Sequence, residues 1–292
     1  MYYPKNFEYE SPNILKEALD LLEKYQQDAK VLAGGQSLIP LMKLRVLSPK
    51  IVIDINKLSE LSYIKEDDNY INIGALTRHN EVLESELLSR YAKALVDAAK
   101  NIADHAIRNM GTIGGNVCHS DPAADYLPVV LALEALLLTI SNKGKRTLKA
   151  DEFLMGPFET SLLPDELLLE IKIPKVKGRV GSSFLKFPYH QGDISLINVA
   201  TLVKIDENKV VKDCRIAVGG ILPKPERVKG AEDVIVGKKV EDKDIVEASK
   251  IASETLNPQS DWMASSEYRR ALIATLVENS LNLSLERAGA RI

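Results

Sequence analysis

Two short glycine-paired segments constrain this chain most. Ala33-Gly34-Gly35-Gln36-Ser37 follows an apolar run, Ala29 to Ala33, and precedes a short helical segment, Leu38 to Leu44. Thr112-Ile113-Gly114-Gly115-Asn116 repeats the theme: a hydroxyl residue, two glycines and an amide. Paired glycines permit positive φ and leave no Cβ in the path of a ligand. Consecutive N–H groups at such a turn make an anion nest. Neither segment is G-x-x-x-x-G-K-[ST] or G-x-G-x-x-G, so neither a P-loop nor a Rossmann fingerprint is present. A Gly-Gly pair alone is usually a turn. Two of them in adjacent subdomains suit a long dinucleotide lying between the subdomains, its diphosphate held from both sides.

The elements around these segments read as alternating helix and strand. Pro12 to Tyr25 reads as a helix with Ser11 as N-cap and Pro12 at its first position. Leu15, Ala18, Leu19 and Leu22 give it one apolar stripe. Ile51 to Ile55 is a second strand. Tyr63-Ile64-Lys65 and Tyr70-Ile71-Asn72-Ile73 flank an acidic turn and predict a hairpin. Helices are expected at Asn80–Ser85 and Leu87–Ile102, a loop after Gly114-Gly115, then a helix at Ala123–Leu133 and a strand at Ala135–Ile140. Leu167 to Ile173 is a strand closed by Pro174. Pro174 to Gly178 is the best linker. Beyond it, Ser182–Phe187, Ile197–Ile205, Val210–Gly219 and Val234–Val236 read as strands, and Lys243–Thr255 and Tyr268–Ala288 as helices. Strands first and helices after predict a separate α+β domain.

Composition excludes several functions. No concentrated basic face accompanies a net charge of −3, which argues against nucleic acid. The most apolar stretch, Leu127 to Ile140, carries Glu134 and is shorter than the roughly 20 residues that cross a bilayer. The N-terminus lacks the form of a signal peptide, so a cytoplasmic location is expected. Two distant cysteines, Cys118 and Cys214, and four scattered histidines predict no metal site in this chain. No acid–base pair or nucleophile stands out, so no catalytic residue is assigned.

Further segments complete a pattern. Leu32 to Leu38 continuing to Met42-Lys43-Leu44-Arg45, Ile107 to Asn116, Asp121-Pro122-Ala123-Ala124-Asp125, Gly156-Pro157-Phe158, Asp165 to Leu168, and Ser260-Asp261 to Ser266-Glu267-Tyr268-Arg269-Arg270 occur in order along nearly the whole chain. Together they resemble the FAD-binding medium subunits of the xanthine dehydrogenase, carbon monoxide dehydrogenase and aldehyde dehydrogenase family of molybdenum hydroxylases, with the carbon monoxide and glyceraldehyde branch most similar. The resemblance implies an α+β protein: a two-subdomain FAD-binding fold of the type seen in the vanillyl-alcohol oxidase group, then an α+β C-terminal flavoprotein domain of antiparallel strands and helices. The implied boundaries are 1–58, 59–175 and 179–292.

The resemblance also implies site residues. Val31, Leu32, Ala33, Gly34, Gly35, Gln36, Ser37 and Leu38 would lie at the diphosphate. Ile102, Ala103, Gly111, Thr112, Ile113, Gly114, Gly115, Asn116 and Asp125 would complete the adenosine-diphosphate and ribityl contacts. Leu168 and Lys186 would lie near the flavin ring, with Lys186 placing positive charge at its pyrimidine end. Tyr268-Arg269-Arg270 is expected on a helix surface or subunit interface. By the same resemblance the chain passes electrons from [2Fe–2S] clusters of a small subunit to an external acceptor. A large subunit with a molybdopterin-type molybdenum cofactor oxidises the substrate, an aldehyde such as glyceraldehyde or carbon monoxide. A dimer of heterotrimers, that is a heterohexamer, is implied. Two other readings stand beside this one: a free-standing FAD-dependent oxidase or reductase, and a non-catalytic nucleotide-binding assembly factor.

Overall fold

The computed structural model describes residues 3–221 and 223–290. The first unit is a parallel three-stranded sheet in the order β1 (Glu8–Glu10), β3 (Ile51–Asp54), β2 (Ala29–Leu32). Parallel pairing demands a crossover, and α1 (Leu15–Tyr25) supplies the first. It buries Ala18, Leu19 and Leu22, the stripe read from the sequence. Ile51, Val52 and Ile53 of the central strand are all buried, as a strand covered on both faces requires. Helix α1 starts at Leu15, three residues later than expected. Ile14 is its N-cap and makes no side-chain cap. The Asn13 N–H instead donates to the Glu17 carboxylate at 2.9 Å. Helix α2 (Leu38–Lys43) leads onward from the first glycine pair.

The second unit is a five-stranded antiparallel sheet in the order β4 (Ile64–Glu66), β5 (Tyr70–Gly74), β10 (Leu167–Pro174), β6 (Leu136–Ser141), β7 (Gly144–Lys149). The late strand β10 enters its centre, pairing Ile171 with Ile73 on one side and Leu137 on the other. Pleating then sorts the side chains. Ile171 and Ile173 join one core with Ile71, Ile73 and Leu137, while Leu167 and Leu169 join a second core shared with the first unit.

Helices α3 (His79–Glu84), α4 (Glu86–Tyr91), α5 (Lys93–Asn101), α6 (His105–Met110), α7 (Ile113–His119), α8 (Tyr126–Ala132) and α9 (Ala150–Phe153) belong to this unit, with a small hairpin of β8 (Leu154–Gly156) and β9 (Glu159–Thr160). The expected single helix over Leu87–Ile102 is two, broken at Ala92, whose backbone leaves the helical region (φ −146°, ψ 52°). Helix α7 takes in Gly114 and Gly115 and runs on to His119, where a loop was expected after the glycine pair.

The last unit is an antiparallel sheet in chain order, β11 (Arg179–Pro188), β12 (Ser195–Ile205), β13 (Val211–Gly219), β14 (Glu226–Arg227), with α10 (Lys229–Ile235), α11 (Asp242–Thr255) and α12 (Ser266–Arg287). Val234–Val236 is not a strand: Val234 and Ile235 close α10, which turns Ala231, Glu232 and Ile235 inward. The buried Glu232 carboxylate fixes this helix by accepting from Ile216 N at 3.0 Å and from Arg227. One face of the sheet carries Ile197, Val199 and Val203 into a core with Ile273, Val277 and Leu281 of α12. The other turns Phe184, Ala200 and Leu202 into the core of the second unit.

Helix α12 lies close on the sheet because small residues meet there. Ser183, Thr201, Ser280 and Ser284 form one buried hydroxyl cluster. A Cβ on Gly181 would stand 2.1 Å from the Ser284 carbonyl oxygen. Gly181→Ala therefore forces the helix off the sheet and is expected to cost about 2 kcal/mol or more. Gly230→Ala, where the nearest atom is a side-chain methyl at 3.4 Å, should be neutral or slightly stabilising. Denaturant midpoints for the two variants check this, and equal midpoints would refute the tight contact.

Candidate functional site

The first glycine segment leaves β2 and bends into α2. The N–H groups of Gly34, Gly35, Gln36 and Ser37 donate to no acceptor among the described residues. Gly35 holds φ at +72°, a conformation that L side chains rarely adopt. Its missing Cβ points at Ile39 and Leu32 of the same turn, so Gly35 contributes backbone freedom more than open space. Gln36 folds its amide back onto the Gly34 carbonyl at 2.8 Å. Ser37 makes no side-chain cap for α2.

The second segment uses four of its amides within the fold. Thr112 caps α7, its Oγ1 accepting from Gly115 N at 3.1 Å. Ile113 N donates to Thr77 O, Gly114 N to Ala75 O, and Asn116 N to Thr112 O. The first loop thus keeps a row of free amides, and in the second the Thr112 N–H likewise donates to no acceptor among the described residues. Gly115 is exposed, and a Cβ there would meet only Thr112 Oγ1 and, at 3.9 Å, the Ala33 Cβ. Asn116 Oδ1 is buried and accepts from no described donor.

The two segments touch. A Cβ on Gly34 would stand 2.5 Å from Met110 O and 2.6 Å from Gly111 Cα. A clasp that sequence reading missed holds them. Asn56 Nδ2 donates to Ala33 O at 2.8 Å, Arg78 Nη2 donates to Asn56 Oδ1 at 2.8 Å, and Arg78 Nη1 donates to Met110 O. Asp54, at the end of β3, orients Asn56 by accepting from its N and Nδ2. Only the position of Asp54 at a strand end hinted at this corner. Val31, Leu32 and Leu38, half-buried, flank the first segment.

Ile102 and Ala103 form a second corner. Ala103 has φ +39°, and Arg108 Nη1 donates to both their carbonyls, at 2.9 and 3.1 Å. A Cβ on Gly192, in the loop after β11, would stand 3.9 Å from the Ala103 backbone. That same loop meets Asp125 and Lys186. Lys186 Nζ lies 2.7 Å from Asp125 Oδ2 and donates to Asp193 O at 3.0 Å. Ser195 Oγ donates to Asp125 Oδ1 at 2.7 Å. The two charged side chains are only 4% and 6% exposed.

Each charged group thus has a protein partner, where the sequence led us to expect Lys186 as a charge for the flavin ring and Asp125 as an acceptor for ligand hydroxyls. Burial pushes the Asp125 carboxyl upward against the pull of Lys186, Ser195 and Asn198. Leu168 is buried in the core of the second unit. Arg269, expected on a helix surface or subunit interface, is buried: it donates to Leu196 O at 2.6 Å and pairs with Asp261 at 2.7 Å, fixing the start of β12. Tyr268 and Arg270 on either side are exposed.

Replacing Lys186 by Met strands a buried carboxylate and should cost about 3–5 kcal/mol. Adding Asp125→Asn should recover much of that loss. Denaturant unfolding at neutral pH reads both, and equal stabilities of the single and double variants would show that the pair is not isolated from water.

Beneath Gly111 lies His79, 4% exposed, its ring 5.4 Å from that of the fully buried Tyr126. Burial, aided by Arg108 and Arg78, pulls its pKa down to about 4. The folded protein keeps this ring neutral, whereas the unfolded chain takes up a proton near the usual 6.5. Its contribution to stability is whole above that pH and falls as pH drops toward 4, by up to about 1.4 kcal/mol per unit. His79→Leu should flatten the stability–pH curve between pH 6.5 and 4.5. Parallel curves for the two proteins would refute this.

Comparison with known proteins agrees with this geometry. Residues 5–176 match the family described as FAD binding domain in molybdopterin dehydrogenase, and residues 182–283 the CO dehydrogenase flavoprotein C-terminal domain. The chain is 41% identical to the glyceraldehyde dehydrogenase medium chain of Sulfolobus acidocaldarius, over 94% of this chain and 96% of that one. It is 34% identical to the carbon monoxide dehydrogenase medium chain of Hydrogenophaga pseudoflava, over 97% and 99%. A solved structure of carbon monoxide dehydrogenase from that organism, lacking the Mo-pyranopterin moiety of its cofactor, superposes with a TM-score of 0.93 at 34% identity, covering 97% of this chain and 99% of that chain. The chain belongs to the family of FAD-binding medium subunits of the molybdenum hydroxylases.

Proposed function

We propose that this chain holds FAD between its two glycine segments and passes electrons from iron–sulfur clusters of a partner subunit to an external acceptor. The observation that carries the reading is the row of uncommitted amides at Gly34, Gly35, Gln36 and Ser37, clasped against a side-chain-free wall. Those amides suit a diphosphate, which needs several donors and brings no hydrogen of its own. Gly115 leaves the opposite wall open, and the unpartnered Asn116 Oδ1 suits a hydroxyl donor. FAD, when bound, supplies the redox chemistry.

The protein's part is to hold and orient. Asn56 and Arg78 fix the spacing of the two walls, and Arg108 fixes the Ile102–Ala103 corner. The Asp125–Lys186 pair anchors the loop that closes over Ala103. Val31, Leu32, Ala33, Leu38, Gly111, Thr112, Ile113, Gly114 and Leu168 shape the walls. The units are taken as 1–58, 59–175 and 179–292.

Partners complete the enzyme: a small [2Fe–2S] subunit and a large molybdenum subunit, assembled as a dimer of heterotrimers. The relatives' substrates include glyceraldehyde and carbon monoxide, and an aldehyde such as glyceraldehyde is the substrate we assign to the large subunit. No helix among the described residues is long and apolar enough to cross a membrane, and we place the complex in the cytoplasm.

The clasp gives the test. Arg78→Met releases both Met110 O and Asn56 Oδ1, and should weaken FAD binding tenfold or more, the loss of one charged hydrogen bond or more. Far-UV circular dichroism should stay unchanged. Undiminished flavin content would contradict the placement. Turnover of an organic donor by the isolated chain would instead support a free-standing flavoenzyme.

A further inference from the structure

A cleft of about 750 Å³ opens where the second unit, the linker and the last sheet meet. None of its wall residues belongs to the glycine segments or the Asp125–Lys186 corner. Cations dominate it: Arg90 at the end of α4, Lys93 at the start of α5, Lys175 and Lys177 in the linker, and Arg287 at the end of α12, against the single carboxylate of Asp68. Two of the cations are neutralised within the fold. Arg287 pairs with Asp97 and also donates to Ser182 O at 2.7 Å. Lys175 pairs with Glu66 at 3.0 Å and donates to Asp67 O at 2.8 Å. Arg90, Lys93 and Lys177 form no ion pair among the described residues.

Three cations without a carboxylate partner among the described residues thus border one concavity. Like charges there repel, and low-dielectric walls focus their field outward. The backbone adds to it. Ala94 N is taken by Ser182 Oγ at 3.1 Å, but Lys93 N, at the positive end of α5, donates to no described acceptor. The size falls within the roughly 300–1,000 Å³ of small-molecule sites.

The aromatic wall residue, Tyr91, has Arg90 5.1 Å and Lys175 5.4 Å from its ring centre. Cations already occupy its surroundings, so the cleft favours anionic groups over a stacked base. We infer that this cleft is a second ligand site, for a small polyvalent phosphate: a pyrophosphate group, free or carried by a nucleotide. A ligand here would touch the linker and the units on both sides of it, and so would stiffen their junction.

The test uses the full chain loaded with FAD, so that the flavin site is occupied. Calorimetric titration with inorganic pyrophosphate, and separately with ADP, at an ionic strength held constant with KCl, should give saturable one-to-one binding. The triple variant Arg90→Gln/Lys93→Gln/Lys177→Gln should keep its flavin and bind pyrophosphate at least tenfold more weakly. Equal affinities for pyrophosphate and ADP would identify the free anion as ligand, and tighter ADP binding a nucleotide. Binding that does not saturate at constant ionic strength overturns the site. So does undiminished binding by the triple variant, or a preference for poly-glutamate over both phosphates.

Discussion

The approach of Gly34 to Gly111 sets the geometry of everything around it. No side chain fits between these backbones, since a Cβ on Gly34 would fall within 2.6 Å of both Met110 O and Gly111 Cα. The first and second units can therefore meet along bare main chain. The contact fixes where β2 ends, where α7 begins, and how wide a gap is left between them. It also decides which polar groups are free. With the amides of Ile113, Gly114, Gly115 and Asn116 drawn into α7 and the turn at Ala75–Thr77, the longest row of free donors among the described residues of the two segments is that of the first.

The third unit is attached by different physics. Its sheet presents Phe184, Ala200 and Leu202 to α5 and α8 as an ordinary apolar contact. At the edge of that contact sits a buried ion pair between the N-cap of α8 and β11. Such a pair gives little net stability compared with a well-packed apolar alternative, but it penalises every arrangement that separates its members. Asp125 and Lys186 thus act as a register device. They fix the loop from Tyr189 to Ile194 over Ala103, and Arg269 fixes the other end of that loop through Leu196 and Asp261.

Much of this was legible in the sequence wherever one pattern governed. Apolar runs marked β2, β3, β10 and β12, and the 3.6-residue stripe marked α1. Legibility failed where a distant residue overrode the local signal. Gly114 and Gly115 are poor helix residues, yet they sit in α7 because Thr112 caps it and because Gly114 must pass Ala75 closely. The run from Leu87 to Ile102 has unbroken helical propensity. Its break at Ala92 coincides with Ser182, 88 positions from Ala94, supplying the acceptor for the new helix's N–H. Val234–Ile235–Val236 carries β-branched residues that favour strands, but Glu232 is bound to Ile216 and Arg227, and the turn of helix follows.

The site shows the same division. The residues Gly34, Gly35 and Thr112 could be read from local chemistry, and Asp125 and Lys186 from resemblance. That the last two neutralise each other could not, because 61 positions separate them. Nor could Asn56 and Arg78, which carry no motif and act only because the fold brings Ala33, Asp54 and Met110 within their reach. The contrast is informative about function. Around the glycine segments nearly every strong donor is committed: Arg78 to Asn56 and Met110, Arg108 to Ile102 and Ala103, Lys186 to Asp125. Four main-chain amides in one turn stay free beside them. A surrounding network that locks the frame and leaves one row of donors open lowers the ordering cost of binding, because the protein has already met it on folding.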